Sequence, residues 1–462
     1  MAYDYDLIVI GAGPAGEKGA VQAAYFGKRV VIVEREAEPG GAAVHTGTLP
    51  SKTLRETALF LSGYRQMELY GFSVPVHREL AIPRLLARKN QVAELEVNRF
   101  KWNFDRHNVT LRRGVATMID PHTVEVSTLG GGTQRLTTEF VLVTTGSVPF
   151  QPPNIPFDDG DVDDSDTILR IDRLPDKMVV IGGGVIGCEY ATMFAAMGVD
   201  VVLLEGRARL LPFLDFEMGD RLRTAMMGLG VDIRLETTTK MVRREGDKIV
   251  CELSTGETIA CGKLLAASGR SGRTAQLNLP AMGVVVDKRG YIQVDDGYRT
   301  ATPSIFAAGD VIGFPALAST SMEQARVAVC HAFGFAYKKQ VSHLLPYGVY
   351  TIPEVSCVGF SEEQAKEKKL DYVVGRAFYR DNQRGKIVGD KDGVIKLVFD
   401  KATRKLIGCH CIGDRASELV HIGQVTITLG GTIDTFIEMV FNYPTLSEMF
   451  KYAAYDALKG FT

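Results

Sequence analysis

Leu7-Ile8-Val9-Ile10-Gly11-Ala12-Gly13-Pro14-Ala15-Gly16 is the stretch that decides the fold of this chain. Its first four residues are a short apolar run, which reads as a parallel strand buried on both faces. The glycines that follow let the backbone turn sharply and approach a ligand closely. A helical pattern comes next, with Gly19 and Ala20 small enough for close packing. A second apolar run, Val30-Val31-Ile32-Val33, then ends at Glu34. Strand, glycine turn, helix, strand and acid, with the acid 23 positions after the first glycine, form a complete dinucleotide-binding fingerprint. The turn and the helix start around Pro14 and Ala15 offer backbone N–H groups to a pyrophosphate. Glu34 is placed to accept hydrogen bonds from a ribose.

The pattern occurs twice. Met178-Val179-Val180-Ile181 leads into Gly182-Gly183-Gly184-Val185-Ile186-Gly187, and Val201-Val202-Leu203-Leu204 ends at Glu205, again 23 positions after the first glycine. Two intact fingerprints imply two dinucleotide sites. Phe140-Val141-Leu142-Val143-Thr144-Thr145-Gly146-Ser147 reads as a strand that closes the first domain. Leu264-Leu265-Ala266-Ala267-Ser268-Gly269-Arg270 repeats that form at the far end of the second. The strand ending at Gly309-Asp310 puts an acid at the carboxyl edge of a parallel sheet, where a polyol can be held. This order of parts predicts an α/β protein with two Rossmann-like domains, the second inserted in the first. We expect the first domain over 1–150 and 291–345 and the second over 151–290. From about 346, short strands, the turn Asp390-Lys391-Asp392-Gly393 with hairpin chemistry, and helices over roughly 414–430 and 446–458 predict an α+β dimerisation domain to 462. Helices are also expected over 55–64 and 80–100. Phe100, Trp102 and Phe104 read as a packed helix–strand junction.

Composition narrows the function. Hydrophobic residues make up 45% of the 462 and charged residues 23%, as in an ordinary soluble domain protein. A net charge of -2 points to neither nucleic acid nor an anionic membrane. No uncharged apolar stretch approaches the length of a membrane span, and the polar start Met1–Asp6 lacks a signal-peptide pattern. Seven scattered cysteines argue against a disulfide framework and suit a reducing cytoplasm. Cys409 and Cys411 flank His410 on an expected strand, and we read them as packing residues rather than metal ligands.

The motifs GAGPAG, GG…GTLPSK, TTGS, GGGVIGCEYA, ASGR, AAGD, YTIPEVSCVG and FNYPTLSE stand in this order along nearly the whole chain. In this the chain resembles the two-dinucleotide-binding-domain flavoprotein reductases, the superfamily of dihydrolipoamide dehydrogenase and glutathione reductase. The resemblance implies FAD at the first site, an exchangeable NAD(P)H at the second, and a homodimer or larger homo-oligomer. It also implies a set of cofactor-binding positions. These are Gly11, Gly13, Pro14, Ala15, Gly16, Glu34, Arg35, Gly41, Thr46, Ser51, Lys52, Thr145, Gly146, Gly309, Asp310 and Ala318 around FAD. Around the nicotinamide nucleotide they are Gly182, Gly184, Ile186, Gly187, Glu205, Arg207, Arg209, Gly269 and Arg270. Lys52 is expected beside the reacting edge of the flavin, paired with Glu189.

The chain departs from the disulfide reductases at three positions. Ala43 and Thr48 stand where those enzymes carry two cysteines. Tyr443 stands before Pro444, where they carry a histidine. Alanine has no nucleophile and a threonine hydroxyl forms no disulfide. A phenol with a reference pKa about 10 does not replace an imidazole near 6.5. Disulfide reduction is thereby excluded. The threonine and the tyrosine are similar to the soluble pyridine nucleotide transhydrogenases, which implies hydride transfer between NADPH/NADP+ and NADH/NAD+. Ala43 departs from that group and keeps a quinone or other small acceptor open. Glu205 favours a free 2′-hydroxyl. Arg207 and Arg209 read either as partners of a 2′-phosphate or as charges that are solvated in the loop or pack on adenine. Glu448 reads as a partner of Tyr443 or as a capping-box acid three positions after Thr445. Glu418 and His421 read as interface or packing residues.

Overall fold

The computed structural model describes residues 3–64, 69–71, 76, 78–128 and 130–461. It divides into two compact units: 1–53, 86–150 and 269–342 form the first, and 54–85, 151–268 and 343–462 the second.

In the first unit, strand Tyr5–Ile10 pairs in parallel with Val30–Glu34 on one side and with Thr133–Val143 on the other. Thr110–Arg113 extends one edge, and Ile305–Ala307 joins the carboxyl half of Thr133–Val143. Successive residues of the central strand enter different cores. Leu7 and Val9 pack with Ile32, Phe100, Phe104 and Val329. Ile8 and Ile10 pack with Val31, Val143, Leu277 and Leu279. Both faces are therefore covered, which is why the strand is apolar at every position rather than at alternate ones. The core role of Leu277, Leu279 and Val284 places the segment 269–290 in this unit. Phe100 and Phe104 are buried as the junction requires. Trp102 is not. It is 57% exposed, with the Arg106 guanidinium 5.1 Å from its ring, because the helix Arg78–Arg106 turns this position outward.

In the second unit, the parallel sheet runs Asp232–Arg234, Asp200–Leu204, Lys177–Ile181, Lys263–Ala266, Val162–Asp164. A three-stranded antiparallel meander over 239–261 packs on it through Val242, Ile249, Cys251, Leu253 and Cys261. The carboxyl-terminal part is a five-stranded antiparallel sheet in the order Tyr347–Val349, Glu354–Gly359, Leu406–Gly413, Val394–Asp400, Tyr372–Phe378. Helices Ala416–Thr428 and Met449–Ala457 contribute to its core, where Cys409 and Cys411 lie among Leu419, Val420 and Phe450. The turn at Asp390–Gly393 ends a long connection, 379–393, between the paired antiparallel strands Tyr372–Phe378 and Val394–Asp400. The short helix Gln383–Val388 precedes it, and the buried Asp390 carboxylate accepts from the N–H groups of Gly393 (2.9 Å) and Asp414 (2.7 Å). The aspartate's own side chain closes the turn just before the second strand begins.

Gly375, on strand Tyr372–Phe378, sits tight under the last long helix. A β-carbon there would lie 1.9 Å from the Ala453 carbonyl oxygen. We expect Gly375→Ala to cost about 1–3 kcal/mol through overpacking. Urea unfolding followed by circular dichroism measures it, and an unchanged midpoint would refute the packing account.

Candidate functional site

The first glycine turn is built by exclusion. Gly11 has φ +104°, and a β-carbon on it would lie 2.6 Å from the Thr144 carbonyl oxygen. A β-carbon on Gly16 would lie 1.9 Å from the Gly11 oxygen. The helix Pro14–Tyr25 can therefore lean directly onto its own turn. Its N-cap, Gly13, contributes no side-chain acceptor, so the first-turn N–H groups are left for a ligand. Glu34, 7% exposed, accepts from the Ala12 N–H (2.7 Å) and the Glu36 N–H (2.9 Å). Arg35 pairs with Glu36 beside it.

Other predicted residues converge on this turn. Gly41, with φ +54°, is so close that a β-carbon on it would come within 2.9 Å of Gly13 Cα. Gly309, with φ +84°, faces the Ala15 methyl group, and its N–H donates to Gln324 Oε1 (2.9 Å). Asp310 accepts from Ser147 Oγ (3.2 Å) and Ser321 Oγ (3.5 Å). Ser321 lies in the first turn of the helix that starts at Ala318, so two helix starts meet near one carboxylate. Arg270, expected beside the nicotinamide nucleotide, instead belongs to the first unit, where it donates to Ser147 through Nε (2.8 Å, to Oγ) and Nη2 (3.0 Å, to the carbonyl). Thr145 donates to the Arg273 carbonyl, and Gly146 has φ +70° with open space where a side chain would stand. These donors, glycine clearances and the Asp310 carboxylate fit a dinucleotide flavin. Ser147, Ser321 and Gln324 were not singled out from the sequence. Gln324 is a buried polar residue on an apolar helix face, a signal visible only once burial is known.

Ala43 lies in the short helix Gly41–His45, and Thr48 opens the helix Thr48–Ser62 with its side chain exposed. Thr46 ends the short helix, its N–H donating to the Ala42 carbonyl. Buried Ser51 accepts from Lys52 Nζ at 3.4 Å. All seven cysteines are free and buried, and none stands in this loop. Cys409 and Cys411 have sulfurs 3.9 Å apart inside the core. Among the described residues no cluster has a metal-binding arrangement, and no helix is long and apolar enough to cross a membrane.

The second turn repeats the first. Gly182 has φ +107°, and a β-carbon on Gly187 would lie 1.8 Å from its carbonyl oxygen. Gly184, N-cap of the helix Val185–Ala196, faces open space at its α-carbon, and Ile186 stands in the first turn of that helix. Glu205 accepts from the Gly183 N–H (2.7 Å), as Glu34 does from Ala12. It is also gripped by Arg207 through the backbone N–H (2.8 Å), Nε (2.9 Å) and Nη2 (2.9 Å). Burial pushes the Glu205 carboxyl up, but hydrogen bonds from Arg207 and Gly183 outweigh it and hold the group below the usual carboxylate range. The pair is therefore ionised through neutral pH and dissolves only in acid. Arg209 stacks on the Phe216 ring (4.1 Å) and pairs with Asp220 (2.8 Å). Neither arginine is an unengaged loop charge. Glu189, 5% exposed, accepts from the Tyr350 N–H at 2.9 Å.

The carboxyl-terminal motif departs from one expectation. Thr445 donates to the Asn442 carbonyl (2.7 Å), and Glu448 is itself the N-cap of Met449–Ala457 without a capping bond. No capping box forms, because the helix starts one residue after the acid. Glu448 Oε1 accepts from Tyr452 (3.5 Å), and its Oε2 is buried without a hydrogen bond. Tyr443 is 67% exposed. Glu418 and His421 are exposed on the helix Ala416–Thr428.

An aromatic disulfide reagent should find no fast-reacting thiol in the native protein and all seven in denaturant; a rapid native reaction would contradict the burial. Glu205→Gln should free Arg207 and raise the NADPH-to-NADH ratio of kcat/KM about tenfold, equivalent to about 1.4 kcal/mol. Steady-state kinetics with both coenzymes measures it, and a constant ratio would refute the role of the pair.

Comparison with known proteins places these parts. Residues 5–332 match the family described as pyridine nucleotide-disulphide oxidoreductase, and residues 345–454 match its dimerisation domain. The chain is 43% identical to a soluble pyridine nucleotide transhydrogenase of Mycobacterium bovis over 456 residues, covering 98% of this chain and 97% of that one. It is 38% identical to a protein of the same name from Erwinia tasmaniensis, over 99% of this chain and 98% of that one. Among solved structures it resembles LpdA from Mycobacterium tuberculosis, with a TM-score of 0.90 at 26% identity over 97% of this chain and 99% of that one. It also resembles the HOCl-induced flavoprotein disulfide reductase RclA from Escherichia coli, with a TM-score of 0.88 at 28% identity over 98% of this chain and 99% of that one. With two intact nucleotide turns and a dimerisation domain but no disulfide-forming cysteine pair, the chain belongs to the pyridine nucleotide-disulphide oxidoreductase family and is an enzyme close to its soluble transhydrogenases.

Proposed function

We propose that this protein is an FAD-dependent soluble transhydrogenase that passes hydride between NADPH/NADP+ and NADH/NAD+. One observation carries the reading. Both glycine turns are complete, while Ala43, Thr48 and Tyr443 remove a thiol relay at both ends. What remains is machinery for binding nucleotides, with no sulfur to pass electrons onward. The similarity to soluble transhydrogenases over almost the whole chain supports the same reading.

Bound FAD supplies a reversible two-electron carrier between one nicotinamide nucleotide and the next. The chain supplies orientation. The first turn, Glu34, Gly41 and Asp310 hold the flavin nucleotide. The second turn, Glu205, Arg207 and Arg209 hold the exchangeable one, which gives ping-pong kinetics at a single nicotinamide site. Lys52 is assigned the stabilisation of negative charge that develops on the cofactor. Glu189 is assigned a catalytic role in the second unit, where the Tyr350 N–H holds its carboxylate in place. The carboxyl-terminal domain is assigned to pairing with a second copy of the chain.

Anaerobic reduction with NADPH, followed by addition of a thio-NAD+ analogue or a quinone, tests the reading. Bleaching of the flavin and its recovery with thio-NAD+ is expected. Recovery with quinone alone would replace the transhydrogenase by a quinone reductase. Lys52→Met should slow flavin reduction about 10²-fold in stopped flow, and an unchanged rate would remove Lys52 from the mechanism.

A further inference from the structure

The loop between Glu205 and the helix Phe216–Gly228 is anchored at both ends. Its start carries the Glu205–Arg207 pair. Its middle lies on the second glycine turn. The Leu211 N–H donates to the Gly183 carbonyl at 3.2 Å, and Leu210 Cδ2 occupies the space that a β-carbon on Gly183 would take, 2.5 Å away. Leu210 and Leu211 are both buried, and Leu211 has φ +44°. A leucine enters that left-handed region only when its surroundings hold it there.

What holds the far end is an ion cluster. Asp215 caps the helix by accepting from the Glu217 N–H (3.1 Å), and its carboxylate is 0% exposed. Both of its oxygens lie 2.8 Å from Lys396 Nζ. Lys396 comes from strand Val394–Asp400, 181 positions away, and its side chain is 1% exposed. The same ammonium meets Glu362 at 2.6 Å and Glu217 at 3.3 Å, and the Glu362 N–H donates to Asp215 at 3.2 Å. Packing alone does not require such a cluster, since apolar residues of similar volume often hold a helix as well or better. What charged, hydrogen-bonded contacts add is a fixed direction. Here that direction is imposed on the residue that ends the loop lying on the nucleotide turn.

We propose that Lys396 is a positioning residue for the nicotinamide nucleotide. Acting through Asp215, it fixes the 205–215 loop and with it the Gly183 turn and the Glu205–Arg207 pair. This rests on the reading that the second turn binds a nicotinamide nucleotide. It does not rest on which acceptor finally takes the hydride.

The test uses full-length protein loaded with FAD, with NAD+ as the probe, so that no turnover is needed. Asp215→Asn keeps a good helix cap while removing the charge that Lys396 faces. Its dissociation constant for NAD+ by calorimetry should rise about tenfold, a modest share of what misplacement of a binding group can cost. FAD content per chain should be unchanged. Lys396→Met combined with Asp215→Asn should show the same rise. If Lys396→Met alone fails to fold, because buried Asp215 then loses its cation while Glu217 and Glu362 keep Arg376, Asp215→Asn still decides. A staple without a positioning role would lower the melting temperature but leave the NAD+ dissociation constant within twofold, and that result would overturn the proposal. A wild-type protein that binds NAD+ but transfers no hydride to thio-NAD+ would overturn only the transhydrogenase reading.

Discussion

The carbonyl oxygens of Gly11 and Gly182 leave no room for a β-carbon on the helix that follows each of them. Everything else at the two nucleotide turns depends on that clearance. Because Gly16 and Gly187 lack side chains, each helix start rests against the end of its own strand. The N–H groups of the first helical turn are then left open to an anionic group such as a pyrophosphate. The acids at the ends of the next strands, Glu34 and Glu205, are tied to the same turns through the N–H groups of Ala12 and Gly183. A glycine turn, a helix start and an acid are thus one rigid object, made twice.

The two copies differ in what surrounds the acid. Glu34 is held by backbone alone at two N–H groups, which suits a cofactor that stays bound. Glu205 has the same two kinds of backbone contact and is also clasped by the Arg207 guanidinium, which is about half exposed. The second acid thus carries a counter-ion that the first lacks. The loop that follows Glu205 links this pair to the carboxyl-terminal sheet through Asp215 and Lys396.

Much of this architecture can be read locally in the sequence. The strand–turn–helix–strand–acid order, the small residues at the turns and the replacements at Ala43, Thr48 and Tyr443 need no knowledge of distant contacts. What could not be read depends on pairing across the chain or on rotation about a helix axis. Trp102 shares its helix with buried Phe100 and Phe104, but two positions along a helix point in different directions. Arg207 looked equally suited to phosphate or solvent, because the sequence does not reveal that it grips the acid two positions earlier. The Asp390 turn does lead into the second strand of an antiparallel pair, but the sequence does not reveal the short helix in the connection before it. The Thr445–Glu448 spacing fits a capping box that a three-residue shift of the helix start removes. Asp215 and Lys396 are each unremarkable in sequence and become a site only through the fold.

The burial of every thiol has a consequence for how such a protein can be governed. Oxidants, alkylating agents and the state of the cellular thiol pool all act on accessible thiolates. This chain presents them with none. If hydride moves between its nucleotides as proposed, the direction of flow follows the ratios of the reduced and oxidised coenzymes alone. The balance it sets is then a matter of mass action, insulated from the thiol chemistry on which its disulfide-reducing relatives depend.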